Sequence, residues 1–128
     1  MTIVGIGLDL VRIARIRELT DRWKDRFLER LYTDEERRYC LARGTPYASL
    51  AGRFAAKEAI LKAIGTGWSR GVRWRDIQIL NDQAGKPVAT VQGRVAALFR
   101  EAGITGVHVS LTHDGDYAIA EVVLTKDG

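Results

Sequence analysis

Glu58 and Lys62 stand four residues apart in the segment PYASLAGRFAAKEAILKAI. On a helix that spacing makes them neighbours on one face. Two chemistries fit the pair. One is a surface ion pair, contributing about 0.3–0.5 kcal/mol. The other is a metal-binding carboxylate beside a lysine that handles a phosphate or a proton. The pair alone does not choose between them. A third chemical group ends the first apolar stretch, TIVGIGLD at 2–9. Alternation along a strand sends Val4, Ile6 and Leu8 to one face and Gly5, Gly7 and Asp9 to the other. Asp9 therefore sits at the end of a face without side chains, where either a ligand or a packed helix comes close to the backbone.

The elements that position these groups are readable from spacing. Residues 12–27 read as a helix, with Ile13, Ile16, Leu19, Trp23 and Phe27 as its apolar stripe. Arg15, Arg22 and Arg26 share one side of it, as a solvated basic face or a docking surface for an acidic partner. Thr33 and Glu36 form a capping-box pattern that starts a short helix through about Arg43, stopped by Gly44. Thr45 and Pro46 start the next helix, which runs to Ile64 and ends at Gly65. Strands are expected at 72–80 and 87–91, a helix at 92–102, and strands near 107–112 and 117–124 with Asp114-Gly115 as a hairpin turn. This mixture predicts an α+β fold: a single domain over residues 1–128, a mostly antiparallel sheet packed with helices.

Helix 46–64 does not have the pattern of a simple surface helix. Leu50, Phe54, Ile60, Leu61 and Ile64 define an apolar side, yet Arg53 and Lys57 fall within the same arc. Charges there need partners, or they snorkel to water on their long stems. Gly52 and five alanines make much of the remaining surface nearly smooth. The helix is thus expected to be covered on more than one side, by its own domain or by a second subunit.

The chain has 128 residues and a formal charge of +4, with one cysteine and no apolar run long enough to span a bilayer. The basic bias favours acidic partners such as phosphates, nucleic acid or an acidic protein. The N-terminus has no basic region ahead of an apolar stretch, and the lone Cys40 cannot staple the fold, so a cytoplasmic protein with no membrane partner is expected.

Three segments in order carry a resemblance: GIGLDLVRIARI at 5–16, RFAAKEAILKAIGTG at 53–67, and HVSLTHDGDYAIAEVVL at 108–124. Together they resemble the holo-acyl-carrier-protein synthases, the small 4'-phosphopantetheinyl transferases of bacterial fatty-acid synthesis, across essentially the whole chain. The resemblance implies the 4'-phosphopantetheinyl transferase fold and a transfer of 4'-phosphopantetheine from coenzyme A to a serine of apo acyl carrier protein, with Mg2+ as cofactor. It also implies the roles of named residues. Asp9 and Glu58 match the metal carboxylates. Lys62 matches the lysine near the phosphates, and Glu58 is the first candidate base, with Lys62 the second. Arg53, Lys57, Gly65, Thr66 and His113 are placed near coenzyme A. Arg15, with Arg22 and Arg26 on helical geometry, is placed against the carrier. Thr112 stands where many members have Ser and keeps a hydroxyl. Members are typically homotrimers with sites between subunits. The competing reading, a small basic nucleic-acid-binding domain, lacks an aromatic platform interleaved with basic residues, so no nucleic-acid partner is expected.

Overall fold

The computed structural model describes residues 1–65 and 71–128. Its elements in chain order are β1 (Thr2–Arg12), α1 (Ile13–Trp23), α2 (Asp25–Leu31), α3 (Asp34–Leu41), α4 (Pro46–Ile64), a 3-10 turn (Trp74–Asp76), β2 (Ile77–Asn81), β3 (Pro87–Val91), α5 (Gly93–Ala102), β4 (Gly106–Asp114) and β5 (Tyr117–Lys126). The expected α+β class is what forms. β1, β5 and β4 make an antiparallel sheet in that spatial order, and β2 pairs with β3 in a separate antiparallel hairpin.

α4 is the centre of the molecule. Ala51, Ala55, Ala56 and Ala59 are fully buried, and so are Leu50 and Ile60. At about 100° per residue, the small residues Gly52, Ala56, Ala59 and Ala63 share the face toward the three-stranded sheet. Leu50, Phe54 and Leu61 point the other way, into a core that includes Phe27, Leu31, Tyr32, Ile77 and Ile79. Each large apolar side chain so buried contributes about 1.5–3 kcal/mol. Phe54 stacks on Trp74 with ring centroids 4.9 Å apart. Both covers of the helix thus come from the chain's own elements.

The bare glycine face of β1 has a packing explanation. A Cβ built at Gly7 would overlap the backbone carbonyl of Ala59, and one at Gly5 that of Ala63. The strand therefore lies directly on the helix backbone, a contact closed to any residue with a side chain. At its end α4 stops where expected, with Gly65 in the left-handed region at φ +91°.

Four boundaries differ from expectation. The helix at 12–27 is two helices, because Lys24 adopts φ +50° and turns the chain out of the helical path between Trp23 and Asp25. Trp23 thereby ends α1 exposed, whereas Ile16 and Phe27 of the same stripe are buried. The capping box at Thr33 and Glu36 is present, but α3 ends at Leu41, before Gly44. Thr45 precedes Pro46 without any side-chain capping bond. The first part of the strand expected at 72–80 is the 3-10 turn, whose buried Asp76 accepts the backbone N–H of Arg73 at 3.0 Å.

The contact between β1 and α4 yields a prediction. Gly7→Ala forces the strand off the helix, and the variant is expected to lose about 2–3 kcal/mol in urea unfolding. Unchanged stability would mean that the contact is not tight.

Candidate functional site

The β1–α4 contact brings Asp9 to the C-terminal half of α4. Lys62 Nζ donates to Asp9 Oδ1 at 2.9 Å and to the Leu8 carbonyl at 3.1 Å. The Asp9 side chain is only 14% exposed, and that of Lys62 is 55% exposed. Glu58, half-buried, lies one turn before Lys62 on the same flank of α4. The Asp9 carboxylate and the Lys62 ammonium thus meet at the β1 edge of the sheet, and Glu58 lies on the Lys62 flank of α4. Among the described residues no group of three or more His, Cys, Asp or Glu could hold a metal ion.

A second group forms on the opposite flank of α4. Five residues separate Arg53 from Glu58, which turns Arg53 toward β4. His113 pairs with Ala118 and through it with Val11, so its side chain faces the helix side of the sheet. Arg53 and His113 line one cleft of about 210 Å3 with Tyr39, Arg43, Asn81 and Thr112. Arg53 is 5% exposed. It donates to Asn81 Oδ1, and its guanidinium carbon lies 4.7 Å from the Tyr39 ring centroid. Arg43 approaches the same ring at 5.0 Å. The buried Nε of Arg53 has no hydrogen-bond partner among the described residues. Two guanidiniums, a histidine and three neutral polar groups around a small cleft suit an anion. Sequence reasoning missed Tyr39, Arg43 and Asn81. Arg43 was visible only as the end of a short helix, and Asn81 only as part of a turn-rich run.

Lys57 does not belong to either group. It is fully buried, where Nζ donates to Glu36 Oε1 at 2.7 Å and to the carbonyls of Leu31 at 2.6 Å and Trp74 at 3.2 Å. All three ammonium hydrogens are taken, so it is not a ligand-facing residue. Burial pushes its pKa down, and the Glu36 carboxylate opposes that shift. Glu36 also accepts from the backbone N–H of Thr33 at 2.8 Å and of Ile79 at 2.9 Å. The pair ties α3, α4 and β2 together. Neither Arg53 nor Lys57 snorkels to water; each finds a partner inside.

The arginines of the first helices separate as well. Arg15 lies over the Phe54 ring at 5.9 Å. Arg22 and Arg26 approach the Trp23 ring at 5.2 and 5.9 Å, from α1 and α2 respectively. Beside them, Leu19, Trp23, Phe27 and Leu31 line a groove of about 460 Å3 with Arg26 and Arg30. Gly65 caps α4 next to the Lys62 flank. Thr66, expected near the ligand, lies outside the described residues.

A family model described as the 4'-phosphopantetheinyl transferase superfamily matches residues 5–122. The chain belongs to this superfamily. It is 49% identical over 119 residues to the holo-acyl-carrier-protein synthase of Syntrophotalea carbinolica, covering 93% of each chain. Among solved structures it resembles the holo-acyl-carrier-protein synthase of Neisseria meningitidis with a TM-score of 0.89 and 39% identity, covering 97% of this chain and 99% of that one. It also resembles the Helicobacter pylori enzyme in complex with coenzyme A, with a TM-score of 0.83 and 34% identity over 94% and 99% of the two chains. This superfamily member therefore shares its fold with holo-acyl-carrier-protein synthases along nearly its whole length. No helix among the described residues is long and apolar enough to cross a membrane.

The buried pair yields the second prediction. Lys57→Met leaves the Glu36 carboxylate buried without its cation and is expected to cost about 3–5 kcal/mol in urea unfolding. A loss below about 1 kcal/mol would show that Glu36 has a route to water.

Proposed function

We propose that the chain transfers 4'-phosphopantetheine from coenzyme A to a serine of an apo acyl carrier protein, releasing adenosine 3',5'-bisphosphate. The observation that carries this reading is the meeting of Asp9 with Lys62, beside Glu58, in a chain of this superfamily. The names of its relatives, holo-acyl-carrier-protein synthases, supply the acceptor, and the coenzyme A complex of the Helicobacter pylori relative supplies the donor.

The chemistry follows from the residue types. The serine oxygen forms a bond to the β-phosphorus of the coenzyme A diphosphate. The bond from that phosphorus to the bridging oxygen breaks, and the bisphosphate leaves with the electron pair. Glu58 takes the serine proton. Lys62, a compact charge with three donors on an exposed stem, turns from Asp9 to steady the phosphate oxygens. Asp9 and Glu58 would hold a magnesium ion. Their donor set is two hard carboxylates, which suits a cation that keeps several waters and shares the substrate's phosphates. Such an ion supplies neutralisation of the diphosphate's charge. Arg53, Arg43 and His113 bind the nucleotide phosphate of coenzyme A, and the unpartnered Nε of Arg53 gives that cleft a donor to spare. Arg15, Arg22 and Arg26 receive the carrier's acidic surface, with the groove at Trp23 and Phe27 taking its apolar side chains.

The two residue groups lie on opposite flanks of α4, at opposite edges of the sheet. We propose that they complete each other between copies in a homotrimer. Supporting this, the sheet face away from α4 exposes Ile6 at 63%, Leu8 at 58% and Leu10 at 58%, with Tyr117 and Ile119 beside them. An apolar strand at a sheet edge of this kind calls for a covering partner.

The test is mass spectrometry of apo acyl carrier protein incubated with coenzyme A and magnesium. The wild-type enzyme is expected to add the mass of one phosphopantetheine. Asp9→Ala and Glu58→Ala are each expected to slow that transfer about 100-fold or more while the protein stays folded. Near-normal turnover in both variants would overturn the assignment of these carboxylates.

A further inference from the structure

A cleft of about 600 Å3 lies outside both residue groups, lined by Arg30, Val72, Arg73, Trp74, Arg75 and Gln92. Among the described residues three guanidiniums line it and no carboxylate does. Their charge is largely available. Arg30 is exposed and makes no ion pair among the described residues. The Arg73 side chain is 78% exposed, and its Nε stands 3.7 Å from the buried Asp76. Arg75 is partly neutralised by Asp34 at 3.3 Å, a carboxylate that Arg37 holds more closely at 2.7 Å.

The cleft and the groove at Trp23 share Arg30 in their lining, and Arg26 stands one turn before it on α2. The groove with Leu19, Trp23, Phe27 and Leu31 and the basic cleft with Arg73 and Arg75 are thus neighbours at Arg30. The Arg73 and Arg75 side chains are 78% and 45% exposed, so both stand open to solvent. A surface of that kind fits a run of acidic side chains on a protein better than one phosphate.

We propose that Arg73 and Arg75 form a second docking surface for the carrier protein, engaging an acidic segment of it beyond the one received at Arg15, Arg22 and Arg26. The inference rests on the carrier-modifying reading above. Its contribution is to association and to choice among carriers. The reacting groups at Asp9, Glu58 and Lys62 are on other elements and do not involve it.

The test is steady-state transfer to apo acyl carrier protein by wild type, by Arg73→Glu/Arg75→Glu and by the milder Arg73→Ala/Arg75→Ala, at low and high salt. Charge reversal is expected to raise KM for the carrier about tenfold or more at low ionic strength, with a smaller rise in the alanine variant. The difference should collapse near about 0.5 M salt. The kcat at saturating carrier and the KM for coenzyme A should stay at wild-type values. An unchanged KM for the carrier in both variants, or an equal rise in both substrates' KM, overturns the docking surface. A wild-type enzyme that modifies no carrier at all would instead overturn the function on which the surface depends.

Discussion

Everything chemical in this molecule depends on how closely β1 lies on α4. The strand can touch the helix backbone only because Gly5 and Gly7 present nothing to it, at the levels of Ala63 and Ala59. That contact fixes the strand's height over the helix and its register along it. Asp9, two residues beyond Gly7, is thereby delivered to Lys62, on the flank of α4 that also carries Glu58. The proposed site would then rest on a strand and a helix without any loop to hold it, and sites on regular elements are held more tightly than sites on loops.

The other side of α4 is held by different means. Phe54, Leu50 and Leu61 enter the core, and the buried Lys57–Glu36 pair anchors the helix to α3 and β2. A buried ion pair is a poor source of net stability but a strict one of geometry, since each partner is costly to leave alone. The helix is therefore fixed on both faces, and the proposed site residues lie on its two flanks. One flank carries Glu58 and Lys62, and the other carries Arg53.

The sequence showed the parts of this arrangement that are local. Glycines on one strand face, alanines at helical spacing and a capping box each act through neighbours in the chain, and β3 and α4 formed at the expected residues. The parts it hid depend on partners far away. Arg53 and Lys57 look alike on a helical wheel, yet one faces a cleft and the other meets Glu36, 21 residues earlier. The break at Lys24 has no glycine or proline to announce it, so the helix at 12–27 reads as continuous. Trp23 then seems to belong to the core stripe, although the break leaves it exposed between two arginines. The ion pair of Asp9 with Lys62 spans 53 residues and was not read in the sequence, where the family resemblance only assigned both residues to one reaction.

The two flanks of α4 are proposed to serve one reaction from different copies of the chain. Subunit mixing tests it most directly. Glu58→Ala and Arg53→Ala variants, each nearly inactive alone, are dissociated, mixed and reassembled, and the transfer rate is measured. Activity is expected to return in the mixture, because some sites then draw Glu58 from one copy and Arg53 from its neighbour. A mixture no more active than its components would mean that each chain uses its own two flanks, and would overturn the shared site.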